Sequence, residues 1–176
     1  VLQCPYNYKK ALVVMKEMAE ALALDLVDKR LTTNQIAIYI GYDAESLTSY
    51  EARFTPIRDC AMNYYGKIVP KPAKGMMHLQ RYTSSARIIT KAVTTIFEDN
   101  VDPDLLIRRI NITAANIIPE DASCNSCIPQ QLDLFTDYDA LQRKTEEEDR
   151  QLAKERRMQE AVLKIKKSFG KNTILK

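Results

Sequence analysis

Few residues in this chain could carry chemistry. One imidazole, His78, serves the whole sequence, so a Ser/His/Asp or Cys/His relay has only one available base. Neither an HExxH pair nor a Gly-rich phosphate loop occurs, and both have fixed spacings that would be visible. Of the four cysteines, Cys4, Cys60, Cys124 and Cys127, only the last two share a ligand-like spacing. A tetrahedral zinc site needs four donors, often as two such pairs, and no second pair exists. Redox CxxC pairs open a helix in a βαβ setting, whereas Pro119 and Pro129 flank this pair in a loop. Cys124 and Cys127 read as reduced thiols, and as a metal site they would lack half their ligands.

Cations offer a different kind of chemistry. From Cys60 to Phe97 there is no Asp or Glu, while Lys67, Lys71, Lys74, Arg81, Arg87 and Lys91 fall in that stretch. Arg108 and Arg109 follow, and no acid lies between Leu105 and Pro119. A one-sign zone in a chain of net charge +3 is what a phosphate-tracking surface needs. It is equally what a solvated basic face would look like.

These residues need elements to position them. The chain has 176 residues, 45% of them hydrophobic, about one domain with enough apolar material for a core. Trp is absent and Gly numbers 4, which argues against an all-β protein rich in tight turns. No apolar run approaches the ~20 residues that span a bilayer, and no secretory signal is visible, so a cytoplasmic location and no membrane partner are expected. The first residue is not Met, and Val1-Leu2-Gln3-Cys4 reads as the middle of a strand. We expect a piece of a longer protein.

Leu12, Met15, Ala19, Leu22 and Leu26 recur at helical spacing and predict a helix over 7–30, with Asn7 as its cap. Residues 34–43 alternate: Ile36, Ile38, Ile40 and Tyr42 share one face of a strand, with Gln35, Ala37, Tyr39 and Gly41 on the other. A long connection over 44–72 is expected from Pro56, Gly66, Pro70 and Pro72. A strand over 73–80 places Met77 and Leu79 opposite Met76 and His78. Ile88, Ile89, Ala92, Val93, Ile96 and Phe97 predict a helix over 84–98 with Ser84 as cap. A last strand over 105–118 turns Ile110, Ile112 and Ala114 one way and Arg109, Asn111 and Thr113 the other. With Val1–Cys4 as first strand the order is β-α-β-β-α-β. The predicted fold class is α+β, a four-stranded antiparallel sheet with two helices on one face, followed by a mostly helical tail. The other sheet face is left open to solvent or ligand. Its one aromatic, Tyr39, beside Ala37, Gly41, Asn111 and Thr113, suits a duplex backbone better than base stacking.

Three segments together carry a family resemblance: Leu2-Gln3-Cys4-Pro5-Tyr6-Asn7-Tyr8, Tyr82-Thr83-Ser84-Ser85 and Asp102-Pro103-Asp104-Leu105-Leu106-Ile107-Arg108-Arg109-Ile110. In order and spacing they resemble the C-terminal part of bacterial Y-family translesion DNA polymerases, the DNA polymerase IV and UmuC (ImpB/MucB/SamB) group. Residues 1–119 are similar to the family's little finger, or polymerase-associated, domain. The resemblance implies a non-catalytic module that holds template–primer duplex by its phosphates during lesion bypass and repair. It places Arg108 and Arg109 on the arginine-bearing last strand that meets the DNA backbone. Lys74, His78, Arg81, Asn111 and Thr113 complete the expected DNA-binding set. Thr113 stands where some members carry a further basic residue, so that contact would be a hydroxyl's.

Phosphoryl transfer needs metal-binding carboxylates on a palm domain, and nothing in this chain matches them. Mg²⁺ is expected only in that absent domain, so no cofactor is expected here. Asp102 and Asp104 flank Pro103 ahead of a strand and read as turn residues.

Gln131-Leu132-Asp133-Leu134-Phe135 resembles the pentapeptide by which bacterial polymerases dock on the sliding clamp. Leu134 and Phe135 would be apolar anchors and Gln131 a directional amide; the alternative is that Leu132, Leu134 and Phe135 tuck onto the domain itself. Residues 138–168 read as a charged helix ending at Gly170, with Met158, Val162, Ile165 and Phe169 as a short stripe. The expected organisation is a domain at 1–119, a linker with the docking peptide at 120–137 and a helical tail at 138–176. Expected partners are duplex DNA, a bacterial sliding clamp and the remainder of the polymerase. Two other readings compete: a protein-interaction module of the same topology, and a free-standing RNA-binding domain.

Overall fold

Strand β1 (Leu31–Tyr42) is the spine of the molecule. Ile36, Ile38, Ile40 and Tyr42 are buried, and the residues between them are not. A period of two with one apolar face requires a cover on that face only. In the computed structural model, which describes residues 1–47, 60–62, 66–123 and 138–170, two helices supply that cover. Helix α1 (Tyr8–Asp28) buries Ala11, Met15, Ala19, Ala23 and Leu26, with Leu12 and Leu22 partly buried against the same core. Asn7 caps it, accepting from Lys10 N at 3.0 Å.

Short hairpin strands β2 (Cys60–Met62) and β3 (Ile68–Pro70) pair antiparallel inside the stretch expected to be a plain connection. Strand β4 (Ala73–Thr83) then pairs antiparallel with one side of β1. Helix α2 (Ala86–Asn100) buries Ile89, Ala92, Val93, Ile96 and Phe97. Phe97 meets Tyr8 of α1 at a ring-centroid distance of 4.9 Å, within the range of favourable tilted pairs. Strand β5 (Ile107–Ala115) pairs antiparallel with the other side of β1, giving the order β4-β1-β5. The fold is α+β, with an antiparallel sheet and both helices on one face, as the periodicity predicts.

The fourth strand is not the expected one. Asn116, at φ 51°, breaks the last strand, and the chain resumes as β6 (Ile118–Pro119), pairing with Leu31 and Thr32 at the start of β1. The Val1–Cys4 segment forms no ladder. Leu2 N donates to Arg108 O at 3.0 Å and Tyr6 makes one bridge to Ile107. Pro5 lies between those two points and has no N–H to extend the pairing.

Gly75 of β4 lies hard against α2. A Cβ there would overlap Ile96 Cγ2 and stand 2.8 Å from Asn100 Nδ2. After the four-residue helix α3 (Glu120–Ser123) the tail follows as α4 (Tyr138–Phe169), one long helix as expected, stopped at Gly170 with φ 98°. Helix α4 packs on α1, so it adds to the helix side, and among the described elements none covers the other sheet face.

Candidate nucleic-acid interface

The register of the three long strands builds the open face in rows. Lys74, Tyr39 and Asn111 stand side by side across β4, β1 and β5. Met76, Ala37 and Thr113 form the next row, and His78, Gln35 and Ala115 the third. Arg109 stands opposite Gly41 and extends the face along β5. Cross-strand neighbours of this kind lie ~4.5–5.5 Å apart at Cβ, close enough to act as one surface. Lys74 Nζ sits 5.6 Å from the centre of the Tyr39 ring, a cation–π distance. Gln35 contacts Met76 Sδ and accepts from Asn116 Nδ2 at 2.9 Å. Met76 is 61% exposed, an apolar patch in the middle of a polar face.

Lys74, His78, Arg109, Asn111 and Thr113 are therefore brought together, and all five are exposed. Gly41 keeps its end of the face low: a Cβ there would come within 3.2 Å of Arg109 Cβ.

Arg108 and Arg81 point elsewhere. The pairing runs from Gly41–Arg109 to Tyr42–Ile107, so Arg108 is the extra residue of a bulge. A bulge re-aims a side chain. Here it returns Ile107 to the core and turns Arg108 sideways. Arg108 Nη1 donates to Gln3 O at 3.1 Å and its Nε lies 3.7 Å from Asp43 Oδ2. Arg81 donates from both Nη atoms to Asp149 Oδ1 of α4, at 3.0 and 2.8 Å. Arg87 donates to Gln151 Oε1 at 3.2 Å, and Lys91 faces the groove between α1, α2 and α4. The acid-free stretch of sequence is thus divided between two sides of the molecule.

The cap of α2 also differs from expectation. Ser85, not Ser84, accepts from Ile88 N, at 3.3 Å. Ser84 belongs to the tail junction: its Oγ accepts from Arg156 Nη1 at 3.0 Å and its carbonyl from Gln159 Nε2 at 3.3 Å. Gln159 is only 5% exposed. Arg156 reaches on to Glu120 Oε2 at 2.8 Å, and Lys167 pairs with Asp28. None of this junction has a sequence period, so no pattern announced it.

Asp102 Oδ1 accepts from Asp104 N at 2.9 Å, an Asx turn ahead of β5. Among the described residues no three His, Cys, Asp or Glu side chains are grouped to hold a metal ion, and no helix is long and apolar enough to cross a membrane. Cys124, Cys127 and the Gln131–Phe135 peptide (Gln131, Leu132, Asp133, Leu134, Phe135) lie outside the described residues.

No match is found among curated proteins. A family model described as the impB/mucB/samB family C-terminal domain matches residues 5–134.

Proposed function

The chain belongs to the impB/mucB/samB family through its C-terminal domain, and from that membership we propose that it grips duplex DNA for a Y-family polymerase. As the C-terminal module of such an enzyme it is non-catalytic. Its partners are DNA and the rest of the polymerase.

The observation that carries the reading is the open sheet face. Lys74 and Arg109 stand on either side of Tyr39 and Gly41 at one end of the face, with Asn111 beside them and Met76, Ala37 and Thr113 in the next row. Cations and short polar groups at that spacing suit phosphate oxygens, whose contacts position a duplex without reading its sequence. Among the described residues of the three long strands one aromatic, Tyr39, gives this face a stacking surface, and it is already engaged by Lys74. A face built that way favours duplex over single strands, whose binding relies on several stacked bases. Among the two arginines of β5 the phosphate role falls to Arg109. Arg109→Ala should lower the magnitude of the log K against log[salt] slope by about 0.9, uniformly across duplex sequences. An unchanged slope refutes the assignment, and a preference for single-stranded RNA would favour an RNA-binding module instead.

Clamp docking is the second part of the proposal and rests on Gln131–Phe135. Leu134→Ala with Phe135→Ala should abolish binding to a bacterial sliding clamp and leave duplex affinity unchanged, as read by calorimetry. Persistent clamp binding would make the peptide a coincidence of sequence. A fall in thermal stability of several kcal/mol would instead assign both residues to the core.

A further inference from the structure

Helix α4 seats carboxylates where an anion would sit. Glu155 Oε2 accepts from the Ser85 hydroxyl at 2.7 Å, and its Oε1 accepts from Arg87 N at 2.9 Å. Those donors are the N-terminus of α2, where unpaired amides and the helix dipole favour negative charge. About 9 Å back toward the N-terminus of α4, Asp149 takes both Nη atoms of Arg81 on one oxygen. The two acids come from some seventy residues away in the chain. All three donors stay on the body of the domain if the tail leaves, whereas Arg156 leaves with it.

We propose that α4 is an internal competitor for nucleic-acid phosphate: Asp149 and Glu155 occupy the Arg81 guanidinium, the Ser85 hydroxyl and the Arg87 amide, donors that suit a phosphate oxygen equally well. Three points carry this. Arg81 is a cation at the end of β4 turned away from the open face, and a carboxylate of α4 holds it. Its pair with Asp149 is open to water, at 43% and 60% side-chain exposure, so ions and phosphates can reach and exchange it. The acids 146–148 just before Asp149 add like charge that repels a phosphate while the tail is docked. The docked tail thus lowers the number of phosphates the domain can hold, and its release raises it.

The inference rests on the duplex-binding reading, and its test separates the two. Duplex affinity of the full chain is measured over a salt series for the wild type, for Asp149→Asn with Glu155→Gln, and for Arg81→Ala in each background. The neutral double variant should bind severalfold more tightly, with a slope steeper by about 0.9, one added phosphate. Arg81→Ala should leave the wild-type slope unchanged and remove the gain in the double variant. A double variant with wild-type affinity and slope overturns the proposal, as does an Arg81→Ala change that already flattens the wild-type slope. Asp149→Asn alone keeps the Glu155 cap of α2 and should show the Arg81 part of the effect in a chain whose fold is undisturbed. A wild type with no salt-dependent duplex binding refutes the DNA reading itself, and the competitor with it.

Discussion

Two adjacent guanidiniums on β5 do different work because one bulge separates them. Arg109 faces the open surface, while Arg108 ties the N-terminal segment and Asp43 to the strand. Arg108→Ala should therefore leave the salt slope of duplex binding nearly intact and speed hydrogen exchange at the Leu2 and Tyr6 amides, which pair with Arg108 and Ile107 carbonyls. Equal slope losses for the two alanine variants would show that both meet phosphate. Tyr42 makes a second prediction at this scale. Its buried hydroxyl accepts from Asp102 N at 3.0 Å, so Tyr42→Phe should cost about 1–2 kcal/mol in a denaturant melt by orphaning that amide. Burial pushes the Tyr42 phenol above its ordinary 10.0, the Asp102 carboxylate adding to the rise and the Asp102 amide opposing it. A raised folded value favours the protonated form, so this stability is whole below pH 10 and is lost as pH rises through the folded value. Alkaline unfolding should be shallower above pH 10 in Tyr42→Phe than in the wild type. The sequence made Arg108 and Arg109 visible together. It could not divide them, because a bulge is a fact about pairing and leaves no mark in alternation.

At the scale of elements, apolar spacing was a sufficient guide wherever one face is buried. It found α1, α2, β1 and β4 and the uncovered side of the sheet, since burial imposes the period that the residues then display. It missed what burial does not impose. The β2–β3 hairpin has three residues per strand and lies among Gly66 and Pro70, too short to alternate. The turn at Asn116 depends on a left-handed backbone that Asn tolerates. The α2 cap falls one residue later than expected, and Ser85 there serves both Ile88 N and, 70 residues away, Glu155. Ser85→Ala should therefore cost more than an isolated cap, about 2 kcal/mol at the upper end of cap losses. The same change should also loosen α4, read as faster hydrogen exchange along 149–159. A loss confined to α2 would mean that the tail is held by its ion pairs alone.

For the whole molecule, the tail is attached differently from the rest. The sheet and its two helices share a buried core, whereas α4 is held largely by charges: Arg81–Asp149, Arg156–Glu120 and Lys167–Asp28. Such pairs weaken as the screening length falls from ~10 Å at 0.1 M to ~3 Å at 1 M salt. Raising salt should release α4 to exchange while α1 and α2 stay protected, and simultaneous loss of all three would contradict a separately held tail. The sheet itself has no comparable freedom, and the reason is the missing side chain at Gly75. If β4 slid by one residue against β1, Lys74 or Met76 would arrive where Ile96 and Asn100 leave no room even for a methyl group. That slide would also carry Lys74, Met76 and His78 from the outer surface to the inner one. Gly75 thus ties the strand register to the helix layer: a chain that paired these strands out of step would set a side chain against Ile96 and Asn100 and could not close its helices over the sheet.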